Sequence, residues 1–168
     1  KNYNKKFDKV YVFSPSLLTM KDSPFECIPK DQMFDELNVE TLEGVLSKIK
    51  ETGVKVLLLM DDVVNDLNKS PELLRLMNKI LFNRRHLAGS GGSVSVILTA
   101  QVYNKVNLSI RKTATQVILF NTRNKKELNA IFEELILIKL KEFYSLLNYS
   151  FKSKHDFVLI DLERPISK

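Results

Sequence analysis

The chain has 168 residues, 44% of them hydrophobic, which is enough for a buried core of ordinary domain size. Its apolar residues come in short clusters broken by charges, and no stretch approaches the roughly 18 uncharged residues that a membrane-spanning helix needs. The lone cysteine, Cys27, excludes an intramolecular disulfide framework and a cysteine-based zinc cluster, while the net charge of +6 favours polyanions, although lysines spread along a chain also occur without such a partner.

The opening KNYNKKFDK begins with Lys and lacks the apolar stretch of a signal peptide, so an upstream segment and a reducing, non-secretory compartment are expected. Residues 9–14 (KVYVFS) form a β-branched and aromatic run that stops at Pro15, which predicts a buried strand. Pro24 and Pro29 punctuate the next stretch, with a short edge element expected at residues 25–28. From Asn38, with Thr41 as a candidate cap, Leu42, Val45, Leu46 and Ile49 repeat at helical spacing up to about Gly53.

Residues 54–60 are almost continuously apolar, as in a parallel strand covered on both faces, and stop at Asp61-Asp62. Ser70-Pro71-Glu72 starts a helix, with Ser70 as cap and Pro71 in its first turn, expected to run to about Leu87 before Gly89, Gly91 and Gly92. Residues 94–99 and 116–120 read as two further strands, expected to be neighbours. A long helix over 125–147 and a final strand at 157–160 complete the order βαβαββαβ. That alternation indicates an α/β fold, a mostly parallel sheet with right-handed crossovers and helices on both faces, in one domain.

In such a sheet, ligands sit beyond the carboxyl ends of the strands, which directs attention to Ser14-Pro15, Asp61-Asp62, Gln101 and Asn121. Two adjacent carboxylates at the end of a buried strand repel each other unless a cation or a hydrogen-bond network stabilises them. The first can fix a hydrated Mg²⁺ bound to a triphosphate, and the second can orient or deprotonate an attacking water. The plainer reading is a strand end followed by an Asp-rich loop cap. Gln101 could touch a γ-phosphate or the water, and Arg111, beside Lys112, could stabilise charge on a transferring phosphoryl group or be a solvated loop cation. Lys79 and the cluster Arg84-Arg85-His86 could contact a DNA backbone irrespective of sequence, or simply complement a helix dipole.

The glycines at 89–92 do not form a phosphate cradle, because the order is helix, glycines, strand, and no Gly-x-x-x-x-Gly-Lys-Ser/Thr occurs in the chain. His86 and His155 are far apart and lack partners at ligand spacing, which argues against a protein-bound transition metal and leaves magnesium held through phosphates.

Taken in order, FDKVYVFSP (7–15), VLLLMDD (56–62), NRRH (83–86), SVILTAQ (95–101), NLSIRK (107–112) and VILF (117–120) resemble the poxvirus-type virion DNA-packaging ATPases of the FtsK–HerA superfamily, which occur in large DNA viruses, virophages and polinton-like elements. The resemblance spans about residues 7–135. It implies a three-layer, RecA-like P-loop NTPase core in which the first strand and the Walker A loop would precede residue 1, so that 1–168 is a single partial ATPase domain, inactive on its own.

The same resemblance implies ATP and Mg²⁺ as cofactors, with Asp61 as the Walker B acid reaching the metal through water, Asp62 as the catalytic acid, Gln101 as the sensor and Arg111 as a phosphate-sensing or trans-acting arginine. Expected partners are double-stranded DNA, further copies in a ring, commonly a hexamer, and capsid portal or vertex proteins. The expected setting is the host cytoplasm, the viral factory or the virion. The glycine stretch after His86 is a candidate for facing the pore. Two alternatives stay open: another P-loop motor such as a terminase or a helicase, and a non-hydrolysing DNA-binding or scaffold subunit.

Overall fold

The computed structural model of the chain describes residues 6–19, 23–50 and 52–163; the charged opening at residues 1–5 lies outside them. The chain divides into two compact units, Lys1–Gln101 and Val102–Lys168.

In the first unit, the apolar runs form parallel strands because both of their faces are covered. Strand β1 (Lys9–Phe13) is flanked by the two-residue edge strand β2 (Met33–Phe34) and by β3 (Lys55–Met60), and β3 pairs in turn with β4 (Ser93–Leu98). The sheet order is β2-β1-β3-β4, and all pairs are parallel. Tyr11, Val12, Phe13, Val56, Leu58 and Met60 are buried, which explains runs with no polar alternation. The edge element falls at Met33–Phe34 and not at 25–28, which are turn residues. There Phe34 stacks on Phe13 with ring centroids 5.0 Å apart, so aromatic packing selects the edge.

Helix α1 (Val39–Ile49) starts with a capping box: the Thr41 N–H donates to Asn38 Oδ1 at 2.8 Å, and the Asn38 N–H to Thr41 Oγ1 at 3.2 Å. It buries Leu42, Val45 and Ile49, the spacing read from the sequence. A short helix α2 (Val64–Lys69), which carries no sequence signal of its own, buries Val64 and Leu67 between the acid pair and the next cap. Ser70 caps α3 (Pro71–Asn83) by accepting from the Leu73 N–H at 3.1 Å, and Leu73, Met77 and Ile80 enter the core. Each such side chain contributes roughly 1.5–3 kcal/mol on burial.

In the second unit, after a four-residue helix α4 (Leu108–Arg111), β5 (Gln116–Phe120) pairs antiparallel with β6 (Phe157–Asp161) in a two-stranded sheet. The expected pairing of residues 116–120 with 94–99 is thereby corrected. One face of this sheet, carrying Leu119, Val158 and Ile160, packs on Leu128, Ile131, Phe143 and Leu147. The single long helix expected over 125–147 is two, α5 (Lys125–Leu135) and α6 (Leu140–Ser150). The break falls at Ile136, whose backbone is extended (φ −111°, ψ 132°). β-Branched Ile136 and Ile138 favour extended backbone, and the bend brings the Phe143 ring to 5.6 Å from that of Phe132.

Candidate functional site

Three parallel strands end side by side, and each contributes a polar residue at its carboxyl end: Ser14 after β1, Asp61 and Asp62 after β3, and Thr99 and Gln101 after β4. The ladder continues one residue beyond the strands, since the Asp61 N–H donates to the Phe13 carbonyl at 2.8 Å and the Thr99 N–H to the Met60 carbonyl at 2.9 Å. Backbone register therefore fixes which side chains meet.

The half-buried Asp61 carboxylate accepts from two hydroxyls, Ser14 Oγ on Oδ2 at 2.9 Å and Thr99 Oγ1 on Oδ1 at 2.6 Å. Ser14 is fully buried; with its one proton directed to Asp61, the 2.9 Å contact with Ser16 Oγ has Ser16 as donor. Asp62 is exposed and has φ = 54°, the left-handed region, at a cost of roughly 1–2 kcal/mol that Asp tolerates better than most residues. Its N–H donates to Thr99 Oγ1 at 3.2 Å, and its Oδ2 accepts from Gln101 Nε2 at 2.9 Å. The two carboxylates thus have different side-chain donors, all of them neutral, while Thr99 Oγ1 also ties the Asp61 carboxylate to the Asp62 backbone.

Among the described residues there is no group of three or more His, Cys, Asp or Glu side chains able to hold a metal. A carboxylate with both oxygens already hydrogen-bonded, beside one other acid, suits a magnesium ion that keeps its waters and takes phosphate oxygens as ligands. The residues present fit that mode of binding.

Arg111 belongs to the second unit, where it forms an ion pair with Glu134 and lies over the Tyr103 ring, 4.8 Å from its centroid. Tyr103 Oη also donates to Glu134 Oε2 at 3.0 Å, while the Arg111 Nε is buried and has no hydrogen-bond partner among the described residues. Burial first, then the Glu134 hydrogen bond and charge, push the Tyr103 hydroxyl up to about 12, against an opposing influence of Arg111. Buried Glu127 fixes this corner by accepting the Tyr103 N–H at 2.6 Å and Thr122 Oγ1 at 2.9 Å.

Lys79 is exposed on α3, Arg85 and His86 are exposed just beyond it, and Arg84 is half-buried with its carbonyl accepting the Val94 N–H at 2.8 Å. The glycines that follow build a packed turn: the Gly53 N–H donates to the Ala88 carbonyl at 2.6 Å, and Gly89 and Gly91 take φ of 80°. Sequence reasoning singled out the acids and Gln101 but gave no role to Thr99, Tyr103, Glu127 or Glu134. For Thr99 a signal existed, since the residue following an apolar strand beside an acid-bearing one faces the same edge.

No protein-family model matches the chain, and no curated protein matches it in sequence. In three dimensions it is similar to the crystal structure of B204, the DNA-packaging ATPase from Sulfolobus Turreted Icosahedral Virus, with a TM-score of 0.65 and 16% identity over 95% of this chain and 83% of that one. The likeness is one of fold: the chain has an α/β architecture, with a mostly parallel sheet and helices around it, similar to that of this ATPase.

Proposed function

We propose that the chain supplies the acid-bearing part of an ATP-hydrolysing motor that moves double-stranded DNA into a viral capsid. The observation that carries this reading is the pair of carboxylates at the end of β3, each held by neutral donors from the neighbouring strands. The fold likeness to a DNA-packaging ATPase supports it.

ATP with Mg²⁺, when bound, supplies the phosphoryl group and the cation that the site handles. Asp61 would hold the cation through its waters, and the two hydroxyl donors fix the orientation of its carboxylate. Asp62 accepts a proton from the attacking water or aligns that water by hydrogen bonding. Gln101, bonded to Asp62, ties the position of this acid to the end of β4 and acts as the sensor. Arg111 provides a guanidinium for phosphate in its own subunit or a neighbour's, which requires it to leave Glu134. Lys79, Arg84, Arg85 and His86 contact the DNA backbone without reading sequence.

Both compact units belong, in this reading, to one ATPase domain that works in a ring of identical copies docked on a capsid portal or vertex. No helix among the described residues is long and apolar enough to cross a membrane, and the motor acts in the host cytoplasm, the viral factory or the virion.

The test is ATP hydrolysis by the full-length protein, with and without double-stranded DNA, beside Asp62→Asn. DNA-stimulated turnover that drops at least about 100-fold in the variant supports the motor. A folded full-length protein without turnover points instead to a non-hydrolysing DNA-binding subunit.

A further inference from the structure

Two side chains in the site have hydrogen bonds but no role in the reaction: Ser14 and Thr99. They directly follow β1 and β4, the strands that flank β3, so they approach Asp61 from either side of the strand that it follows. Each donates to a different oxygen of the carboxylate, Ser14 to Oδ2 at 2.9 Å and Thr99 to Oδ1 at 2.6 Å. A carboxylate held at one oxygen can still swing about its Cβ–Cγ bond. One held at both, from two strands fixed in register, cannot turn without breaking one of the bonds.

Neither hydroxyl is explained by packing. Ser14 is 0% exposed, and a buried hydroxyl is costly unless it is hydrogen-bonded; an alanine there would avoid that cost. Thr99 is exposed and gains nothing from burial, yet its hydroxyl makes two bonds, the second accepting the Asp62 N–H at 3.2 Å. One threonine therefore holds the Asp61 carboxylate and the left-handed turn at Asp62 together.

We propose that Ser14 and Thr99 are positioning residues that clamp Asp61 for a hydrated divalent cation, and that Thr99 also sets the turn on which Asp62 stands. This inference rests on the nucleotide-hydrolysing reading of the site. Metal affinity is sensitive to such outer partners, whose loss commonly weakens it about tenfold or more.

The experiment measures Mn²⁺ binding by electron paramagnetic resonance in the full-length protein with a non-hydrolysable ATP analogue, for the wild type, Ser14→Ala, Thr99→Val, Thr99→Ser and Asp61→Asn. The expected result is a Kd for Mn²⁺ raised about tenfold in Ser14→Ala and Thr99→Val and close to wild type in Thr99→Ser, which keeps the hydroxyl. Nucleotide affinity without metal stays unchanged in all three. Because Thr99 is exposed, Thr99→Val keeps the test open should Ser14→Ala fail to fold. Wild-type Mn²⁺ affinity in Ser14→Ala and Thr99→Val, with affinity abolished in Asp61→Asn, overturns the clamp and leaves the nucleotide reading standing. Mn²⁺ binding that is absent in the wild type, or indifferent to Asp61→Asn, overturns both.

Discussion

Gln101 Nε2 donates to Asp62 Oδ2 across 2.9 Å, joining the residue two beyond Thr99 to an acid that stands on a left-handed turn. The amide cannot act as an acid or base at neutral pH, so in the proposed hydrolysis its contribution is orientation of the Asp62 carboxylate. Gln101→Leu removes the donor at similar size. A hydrogen bond to a charged group is worth roughly 1.5–3 kcal/mol, which corresponds to a kcat lowered roughly 10- to 100-fold with little change in nucleotide affinity. Steady-state hydrolysis kinetics together with a nucleotide-binding titration check this, and a fall in affinity with kcat intact would assign Gln101 to substrate binding instead.

Two glycines separate structural need from tolerance. A Cβ at Gly92 would meet Ala88 Cβ, the Ala88 carbonyl and the Val54 carbonyl, each at 2.8 Å, and two of the three are backbone. Gly92→Ala is expected to destabilise by about 1–3 kcal/mol. Gly44, within α1, has nothing within 4 Å of that position, and Gly44→Ala is expected to stabilise by about 0.5–1 kcal/mol because it reduces the freedom of the unfolded chain. Urea unfolding of the two variants measures both signs. Equal effects would remove the packed-turn account of residues 89–92.

Tyr103 gives the molecule an alkaline limb. Its hydroxyl is pushed from 10.0 to about 12, by burial first and by Glu134 second, so the folded state keeps a proton that the unfolded chain has lost. The resulting stability is fully present below pH 10 and is lost as pH rises through about 12. Tyr103→Phe is expected to flatten stability over that interval, and Glu134→Gln to lower the Tyr103 titration midpoint, as read by tyrosinate absorbance. A midpoint unmoved by Glu134→Gln would leave burial as the whole cause.

If Lys79 and Arg85 contact the DNA backbone, replacing either with Ala lowers affinity equally for unrelated duplex sequences. The slope of log affinity against log salt shrinks by about 0.9 for each phosphate that the variant no longer neutralises. Fluorescence anisotropy over a salt series measures both quantities. An unchanged slope would remove both exposed side chains from the DNA contact.

The sequence by itself determined the elements whose signals are local. Ser70 with Pro71 places the start of α3, and the apolar spacing after Asn38 places α1, although its cap is Asn38 and not Thr41, which answers it from three residues on in the capping box. Continuous apolar runs marked β1 and β3, and the abrupt stop at Asp61-Asp62 drew attention to the acid pair, since adjacent carboxylates at the end of a buried strand repel each other unless something stabilises them. Tertiary structure alone decided what lies between distant segments. Ser14 and Thr99 meet at Asp61 only through the register of three strands, from positions 47 and 38 residues away in sequence. The pairing of β5 with β6, the bend at Ile136 and the seat of Arg111 between Glu134 and Tyr103 likewise depend on which surfaces bury each other. Periodicity records that a face is apolar but does not name the face it will meet.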